Sequence, residues 1–352
     1  MTEPTLPFVS VLMPVRNEVA FIERSLGAVL RQTYPADRME ILVADGLSDD
    51  GTAESVASLT KADARIRLLR NPGKIVSTGL NTALTKARGD IVIRIDGHCE
   101  VAPDYVIRCV EHLLRGEADA VGGPLETVGE DELSRTIAIA MSSVFGVGGV
   151  AFRTTTGWSG LVDTVAFPAF TRFVIDRTGP FDEELVRNQD DEYNYRLREL
   201  GGRILLSASV RCRYFSRSSL RSLWRQYFQY GYWKVRVMQK HPAQMRWRQF
   251  VPPLFTGFLL VSALFSPIHA LARWLFAGVL AAYLVANLLA TFSSVSRGSW
   301  PAVALLPVAF AAMHFAYGLG FLRGLIAFRD RWEDRGTQPP VRCEEITELK
   351  LS

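Results

Sequence analysis

The last third of this 352-residue chain almost lacks charge: from residue 251 to 320 there is no Asp, Glu or Lys, and only Arg273 and Arg297 are ionised. A segment that poor in polar groups is excluded as an ordinary solvated domain. Cysteine is also scarce. Cys99, Cys109, Cys212 and Cys343 are scattered without paired or metal-type spacing, which excludes a disulfide framework and reads as four reduced thiols. The opening MTEPTLPFVS has neither a basic region nor an apolar run of a secretory leader, so the first domain is expected in the cytoplasm. Forty Lys and Arg against 36 Asp and Glu leave a formal charge of only +4, with no basic stripe suited to nucleic acid.

What the chain does have is apolar residues, 48% of the total, enough at this length for two structural units. Three apolar stretches, 251–270, 274–292 and 301–322, each approach the roughly 20 residues that cross a hydrocarbon core. The first is opened by Pro252-Pro253 and interrupted at Pro267, so the second and third are the stronger spans. Arg323, Arg329, Arg331 and Arg335 follow them, and the positive-inside tendency would keep these in the cytoplasm. Two spans with a surface-lying or re-entrant first segment satisfy that tendency; three remain open. Ahead of the apolar region, ten Lys and Arg between 211 and 248, Lys234, Arg236 and Lys240 among them, mix with Trp224, Trp233 and Trp247. That mixture suits anionic headgroups, and it also suits a solvated helix face. The organisation expected is 1–210 catalytic, 211–250 interfacial, 251–323 membrane-anchoring and 324–352 a polar tail.

Before residue 100 the pattern alternates short apolar runs with helical periodicity: strands at 9–15, 40–44, 66–69 and 91–95, helices at 18–32, 51–58 and 77–87. Such βαβα repetition predicts a mostly parallel sheet with helices on both faces and ligands beyond the carboxyl ends of the strands. Further on, the spacing predicts a helix at 103–115, a strand at 120–122, a mobile Gly- and Thr-rich loop at 146–160, regular structure at 165–173 and a helix at 190–199 stopped by Gly201-Gly202.

Three strand or helix ends carry chemistry. Asp45 follows the second strand within DGLSDDGT, where a carboxylate can accept hydrogen bonds from a base or ribose; the same residues also suit a turn and an N-cap. Asp96 ends the fourth strand, where an acid can hold a divalent cation against a diphosphate, or simply make a turn. Asp190, Asp191 and Glu192 open a helix, where they can supply a general base or complement the helix dipole.

In this order and spacing, the motifs resemble the family-2 glycosyltransferases of the GT-A fold, over about residues 8–235. The matching pieces are PVRNE at 14–18, DGLSDDGT at 45–52, NPG at 71–73, IRIDGH at 93–98, PDY at 103–105, GPFDEEL at 179–185 and QDDEYNYRLRELGGRI at 189–204. QYFQYGYWKVRVMQKHP at 226–242 is similar to the membrane-bound succinoglycan glucosyltransferase group of that family.

The resemblance implies an α/β GT-A nucleotide-sugar-binding domain with membrane helices after it, and an inverting transfer from a nucleotide-sugar. Pro14, Arg16 and Glu18 would line the nucleotide pocket, Asp45 would read the base, and Lys74 would lie near the diphosphate. Asp96 would be the first acid of the metal motif for Mg2+ or Mn2+. The family usually has acid, any residue, acid there, whereas this chain has His98 in the third position, leaving fewer hard oxygen ligands for the cation. The family's helix-opening acid falls on Asp190 as catalytic base, with Asp191 in reserve. The Gln-x-x-Arg-Trp motif of processive members is missing, so one sugar is added per encounter. Trp158 and Trp233 are either sugar-stacking or packing residues.

The implied donor is UDP-glucose giving a β-linkage, and the implied acceptor is a polyprenyl-diphosphate-linked saccharide in exopolysaccharide or cell-surface glycan synthesis. The implied place is the plasma membrane, beside other glycan-assembly proteins. Two rivals stand against this reading: a membrane-anchored nucleotidyltransferase, which would need a Gly-rich basic loop where PVRNEVAF stands, and a non-enzymatic scaffold with a degenerate transferase domain.

Overall fold

The computed structural model describes residues 6–216, 218–295 and 300–334. Arg217, Arg297, Arg335, Cys343 and most of the 324–352 tail lie outside the described residues. The chain begins with β1 (Val9–Val15), α1 (Ile22–Leu30), β2 (Met39–Asp45), α2 (Thr52–Ala62), β3 (Ile66–Arg70), α3 (Val76–Leu84) and β4 (Ile91–Arg94). Next come β5 (Cys99–Val101), α4 (Tyr105–Leu114), β6 (Ala120–Gly122), β7 (Leu125–Val128), α5 (Glu132–Ser142), α6 (Val144–Val147) and α7 (Ala151–Thr154). They are followed by β8 (Gly160–Leu161), β9 (Ala169–Thr171), α8 (Arg172–Thr178), α9 (Gln189–Glu199), β10 (Ile204–Leu206) and β11 (Cys212–Phe215). Four long helices close the described chain: α10 (Leu220–Lys240), α11 (Trp247–Phe265), α12 (Ala270–Ser294) and α13 (Trp300–Ala327). Two compact units result, one of Met1–Glu126 with Thr155–Tyr214, the other of Thr127–Thr154 with Phe215–Gly336.

The first unit is built on an eight-stranded sheet of order β3-β2-β1-β4-β9-β6-β10-β8. β1 is buried at all seven positions, as a central parallel strand covered on both faces must be, and its sequence is accordingly a near-continuous apolar run. It pairs in parallel with β2 and β4, and β2 with β3, so these four strands end at one edge. β9 runs antiparallel between β4 and β6. The sheet is therefore mixed, and the strand that breaks the direction inserts where the sequence pattern loosens. Residues expected as a loop at 146–160 instead contain α6, α7 and β8, while α5 and β5 carry no expectation from the pattern at all.

One buried charge sits in the sheet at the amino ends of the strands. Glu40, 2% exposed, accepts from Ser10 Oγ at 2.7 Å, from the Arg88 backbone N–H at 2.7 Å and from Arg88 Nε at 3.1 Å. Burial alone would raise its carboxyl above the ordinary value, but these donors win and hold it below. A depressed carboxyl contributes stability that is present above its unfolded value, near 4.5, and is lost as pH falls through the folded one. Glu40→Gln is expected to destabilise the protein by about 1–3 kcal/mol at neutral pH. The gap from wild type should narrow on acidification below that value, as read by thermal melting of the detergent-solubilised protein at neutral and acidic pH.

The second unit is helical. α10 and α13 approach closely enough that a Cβ on Gly231 would lie 2.0 Å from the Tyr317 carbonyl oxygen, and one on Gly320 2.0 Å from that of Phe228. Small residues at such crossings let two backbones touch, the usual device of helices packed without a hydrophobic drive between them. Within this unit His314 Nε2 lies 2.8 Å from the Phe145 carbonyl and Nδ1 3.1 Å from Tyr283 Oη, and Asn287 donates to the Pro307 carbonyl at 3.0 Å. Three helices, Trp247–Phe265, Ala270–Ser294 and Ala302–Ala327, are long and apolar enough to cross a membrane. The first is one continuous helix despite Pro252 and Pro253.

The basic segment divides. Arg221, Arg225 and Arg246 are exposed, whereas Lys234, Arg236 and Lys240 are buried in this unit rather than turned outward. Arg236, 0% exposed, meets Asp334 Oδ2 at 3.1 Å and the Arg331 carbonyl at 3.3 Å. Arg236 is thus paired internally, and Lys234 and Lys240 are buried with it in this unit. Trp233 packs beside Phe328, its ring centroid 5.6 Å away, while Trp158 is half-exposed.

Candidate active site

The carboxyl ends of β1 and β2 are locked together by register, Val15 opposite Asp45, with the Gly46 N–H donating to the Val15 carbonyl at 2.8 Å. Asp45 is buried and accepts from the Ser48 backbone N–H at 3.1 Å and Ser48 Oγ at 2.5 Å. It thus caps its own turn while standing at the strand mouth. Leu47 takes the left-handed conformation, φ 57°, to make that turn. Asn17, also left-handed at φ 56°, braces the neighbouring loop: its Nδ2 donates to Asp49 at 2.8 Å and its Oδ1 accepts the Asp49 N–H at 3.1 Å. The next two amides are taken as well, Glu18 N–H by Thr52 Oγ1 at 2.8 Å and Val19 N–H by Asp50 at 3.1 Å.

Over Gly46 lie the Arg16 side chain and the Lys74 backbone, which a Cβ there would meet at 3.2 and 3.3 Å. The absence of that Cβ lets the Arg16 stem and the Lys74 backbone close over the mouth of β1 and β2, and neither residue is ion-paired among the described residues. Lys74 is held at φ 63° by a turn in which its N–H donates to the Asn71 carbonyl at 3.2 Å and Asn71 Nδ2 donates to the Ile75 carbonyl at 2.9 Å.

β4 stops early, its last residue Arg94 opposite Leu12 rather than the end of β1. The chain after it folds into the notch under PVRNE, where a Cβ on Gly97 would lie 2.9 Å from Val15. His98 Nδ1 consequently reaches the Glu18 carboxylate at 2.9 Å, and its ring sits edge-on to Tyr214 at 5.0 Å. Asp96 is gripped from behind: Arg94 Nε donates to Oδ1 at 3.0 Å and Nη2 to Oδ2 at 3.1 Å. Arg94 is 6% exposed. Burial opposes its charge, yet Asp96 and Asp190 more than offset that and hold the guanidinium firmly protonated.

Asp190 opens α9 after Asn188, a left-handed residue at φ 65°. Its Oδ1 accepts the Asp191 N–H at 2.9 Å and its Oδ2 lies 3.9 Å from Arg94 Nη1. Glu192 is withdrawn from the acidic cluster by Arg196, which donates through Nε at 2.6 Å. Asp190, 37% exposed, is thus left facing the strand ends.

Succinoglycan biosynthesis protein ExoA of Rhizobium meliloti (strain 1021) is 32% identical to this chain over 337 residues, 91% of this chain and 96% of that protein. The chain belongs to glycosyltransferase family 2. The description of that family, Glycosyl transferase family 2, matches residues 10–179, which include the Asp45 and Asp96 strand ends but stop short of Asp190. A dolichyl N-acetyl-alpha-D-glucosaminyl phosphate 3-beta-D-2,3-diacetamido-2,3-dideoxy-beta-D-glucuronosyltransferase of Methanococcus voltae is 23% identical over 327 residues, covering 91% of this chain and 97% of that enzyme. Among solved structures, the mannosyltransferase PcManGT from Pyrobaculum calidifontis, in complex with GDP-Man and Mn2+, superposes with a TM-score of 0.55 at 21% identity, covering 91% and 87% of the two chains. The GT-A fold is thereby established, and with it a nucleotide-sugar glycosyltransferase that is membrane-associated through its apolar helices.

For this family-2 transferase, the structure brings Arg16, Glu18, Asp45, Lys74, Asp96, His98 and Asp190 to one sheet edge, with Asp191 beside Asp190. Pro14 is different: it is buried, and a Cβ on Gly79 would stand 3.2 Å from its ring, so it packs under α3. No three His, Cys, Asp or Glu side chains converge as a metal-ligand set among the described residues. Asp96, with lone pairs left beyond its two bonds to Arg94, and His98 would supply at most a partial ligand set for a divalent cation. Two contributors escape the sequence pattern, Arg94 and Asn17; a charged residue ending an apolar strand was the signal for the first. Asn17→Ala is expected to cost about 1–3 kcal/mol in local stability, losing both Asp49 bonds and straining a positive φ. Asn17→Gly should lose the bonds without the strain, so hydrogen exchange across residues 46–52 should rise more in the alanine variant.

Proposed function

We propose that this transferase moves one sugar from a nucleotide-sugar, UDP-glucose by preference, onto a polyprenyl-diphosphate-linked saccharide at the plasma membrane, with inversion at the anomeric carbon. The supporting observation is the placement of Asp190: a carboxylate anchored through one oxygen, with the other at the strand ends, 3.9 Å from Arg94 Nη1 and beyond hydrogen-bond length. Asp45 takes the base, Glu18 the nucleoside, and Arg16 and Lys74 the diphosphate, whose negative charge they neutralise from fixed positions. A divalent cation held by Asp96 and His98 would add the same neutralisation to the departing diphosphate.

The acceptor hydroxyl gives its proton to Asp190 as its oxygen attacks the anomeric carbon. The carbon–oxygen bond to the nucleoside diphosphate breaks on the opposite face and carries the electron pair away. One displacement converts an α-linked donor into a β-glycoside. Asp191 donates its backbone amide to Asp190 and is the second choice for the base. Catalysis from the cytoplasmic side, and a place beside other proteins of exopolysaccharide or cell-surface glycan assembly, accord with the apolar helices and with the name of the Rhizobium relative.

The test uses membranes carrying the full chain, a panel of radiolabelled sugar nucleotides and a polyprenyl-diphosphate-linked saccharide. Asp190→Asn should lower transfer about 1,000-fold or more while nucleotide-sugar binding persists, because a missing base acts on the chemical step. Undiminished transfer by that variant would remove Asp190 as base. Transfer from no sugar nucleotide would favour a scaffold, and diphosphate release from a nucleoside triphosphate a nucleotidyltransferase.

A further inference from the structure

Arg94 is a charged residue at the last position of an inner strand, nearly inaccessible to water. A guanidinium presents its donors in a rigid plane, so which edge faces which partner is fixed once one edge is engaged. Here the Nε–Nη2 edge is consumed by Asp96, at 3.0 and 3.1 Å. The remaining nitrogen, Nη1, is buried with no hydrogen-bond partner and points at Asp190 Oδ2 from 3.9 Å. The Phe167 ring lies 5.8 Å from the guanidinium carbon and limits its tilt. Asp190 is equally polarised, since its Oδ1 is taken by the Asp191 N–H and only Oδ2 is turned toward Arg94.

Two carboxylates and a diphosphate gathered at one edge repel one another. A single buried cation between the carboxylates relieves that repulsion from behind, leaving their outer lone pairs for ligand. The orphaned Nη1 completes the argument: a shift of about 1 Å would close the 3.9 Å approach to the normal length of a charge-assisted bond.

We infer that Arg94 is a positioning residue that couples the acid of the donor site, Asp96, to the base, Asp190, holding Oδ2 in the orientation that receives the acceptor proton. The inference rests on the proposed role of Asp190. Donor engagement of Asp96 and readiness of Asp190 are then linked through one rigid group, and Lys, a point charge without the fork, serves only partly.

A double-mutant cycle on the full-length protein in membranes tests this, with the sugar nucleotide that wild type turns over. Arg94→Met should lower kcat roughly 30–100-fold, with a smaller change in donor KM, as expected for lost orientation. In an Asp190→Asn background the same change should lower the residual rate by less than about threefold, because a group acting through Asp190 has nothing left to position. Arg94→Lys should fall between wild type and Arg94→Met, and it takes the place of the methionine variant in the cycle if that variant fails to accumulate. Equal fold-losses in the two backgrounds, or wild-type kcat for Arg94→Met, would overturn the inference. The two readings fail separately: full activity of Asp190→Asn defeats the base, whereas an inactive Asp190→Asn with an additive Arg94 effect defeats only the coupling.

Discussion

The register of β1 between β2 and β4 is the constraint on which the catalytic unit depends. With Val15 opposite Asp45 but Arg94 opposite Leu12, the fourth strand ends short of the first. That offset makes a notch, and the notch sets the local geometry: Gly97 fits beneath Val15 only because it has no side chain, and His98 arrives beside Glu18 as a result. A one-residue slip would turn every strand-end side chain to the opposite face of the sheet.

Charge is distributed along the sheet by the same logic. At the amino ends, Glu40 is buried and matched by Ser10 and Arg88; at the carboxyl ends, Arg94 is buried and matched by Asp96. Each would be costly alone, and each is held charged by its partner. Arg16 and Lys74, by contrast, stand exposed at the mouth of the strands. Folding has satisfied the interior charges and left these two cations exposed.

The alternating elements of the first hundred residues were legible because an inner parallel strand must be apolar throughout, and β1 is. Short elements were not. β5, with the polar Glu100 in its centre, has too few residues for a period, and α5 starts from Asp131 with Ser134 rather than the Glu or Gln that usually marks a capping box. At the site, acids after strands could be read directly, since a loop residue's type reports its chemistry. Pro14 could not, because a motif residue inside a strand turns to one face or the other only in the folded sheet. Arg94 was hidden for the opposite reason, a charge whose burial depends on a partner 96 positions away in Asp190. Lys234, Arg236 and Lys240 misled in the same manner: spacing gave a helix face, and only packing shows that Asp334 answers Arg236 from within.

The helical unit follows a different solvent. Leu264, Ile268, Leu271 and Trp274 are each more than 70% accessible, an exposure of large apolar side chains that suits an apolar surround better than water. α12 is the least buried of the three apolar helices and α13 the most, so α13 is the helix the others and α10 pack upon. Its crossing with α10 combines close backbones at Gly231 and Gly320 with large side chains, Phe321 and Leu325 clustering with Val235 and Tyr232, and its polar contacts, His314 with Tyr283 and Phe145, are paired internally. Close backbones and polar groups that satisfy each other both suit an apolar surround, where unpaired polar groups are costly. The apolar last third is thus a folded bundle with its own packing rules, organised around α13.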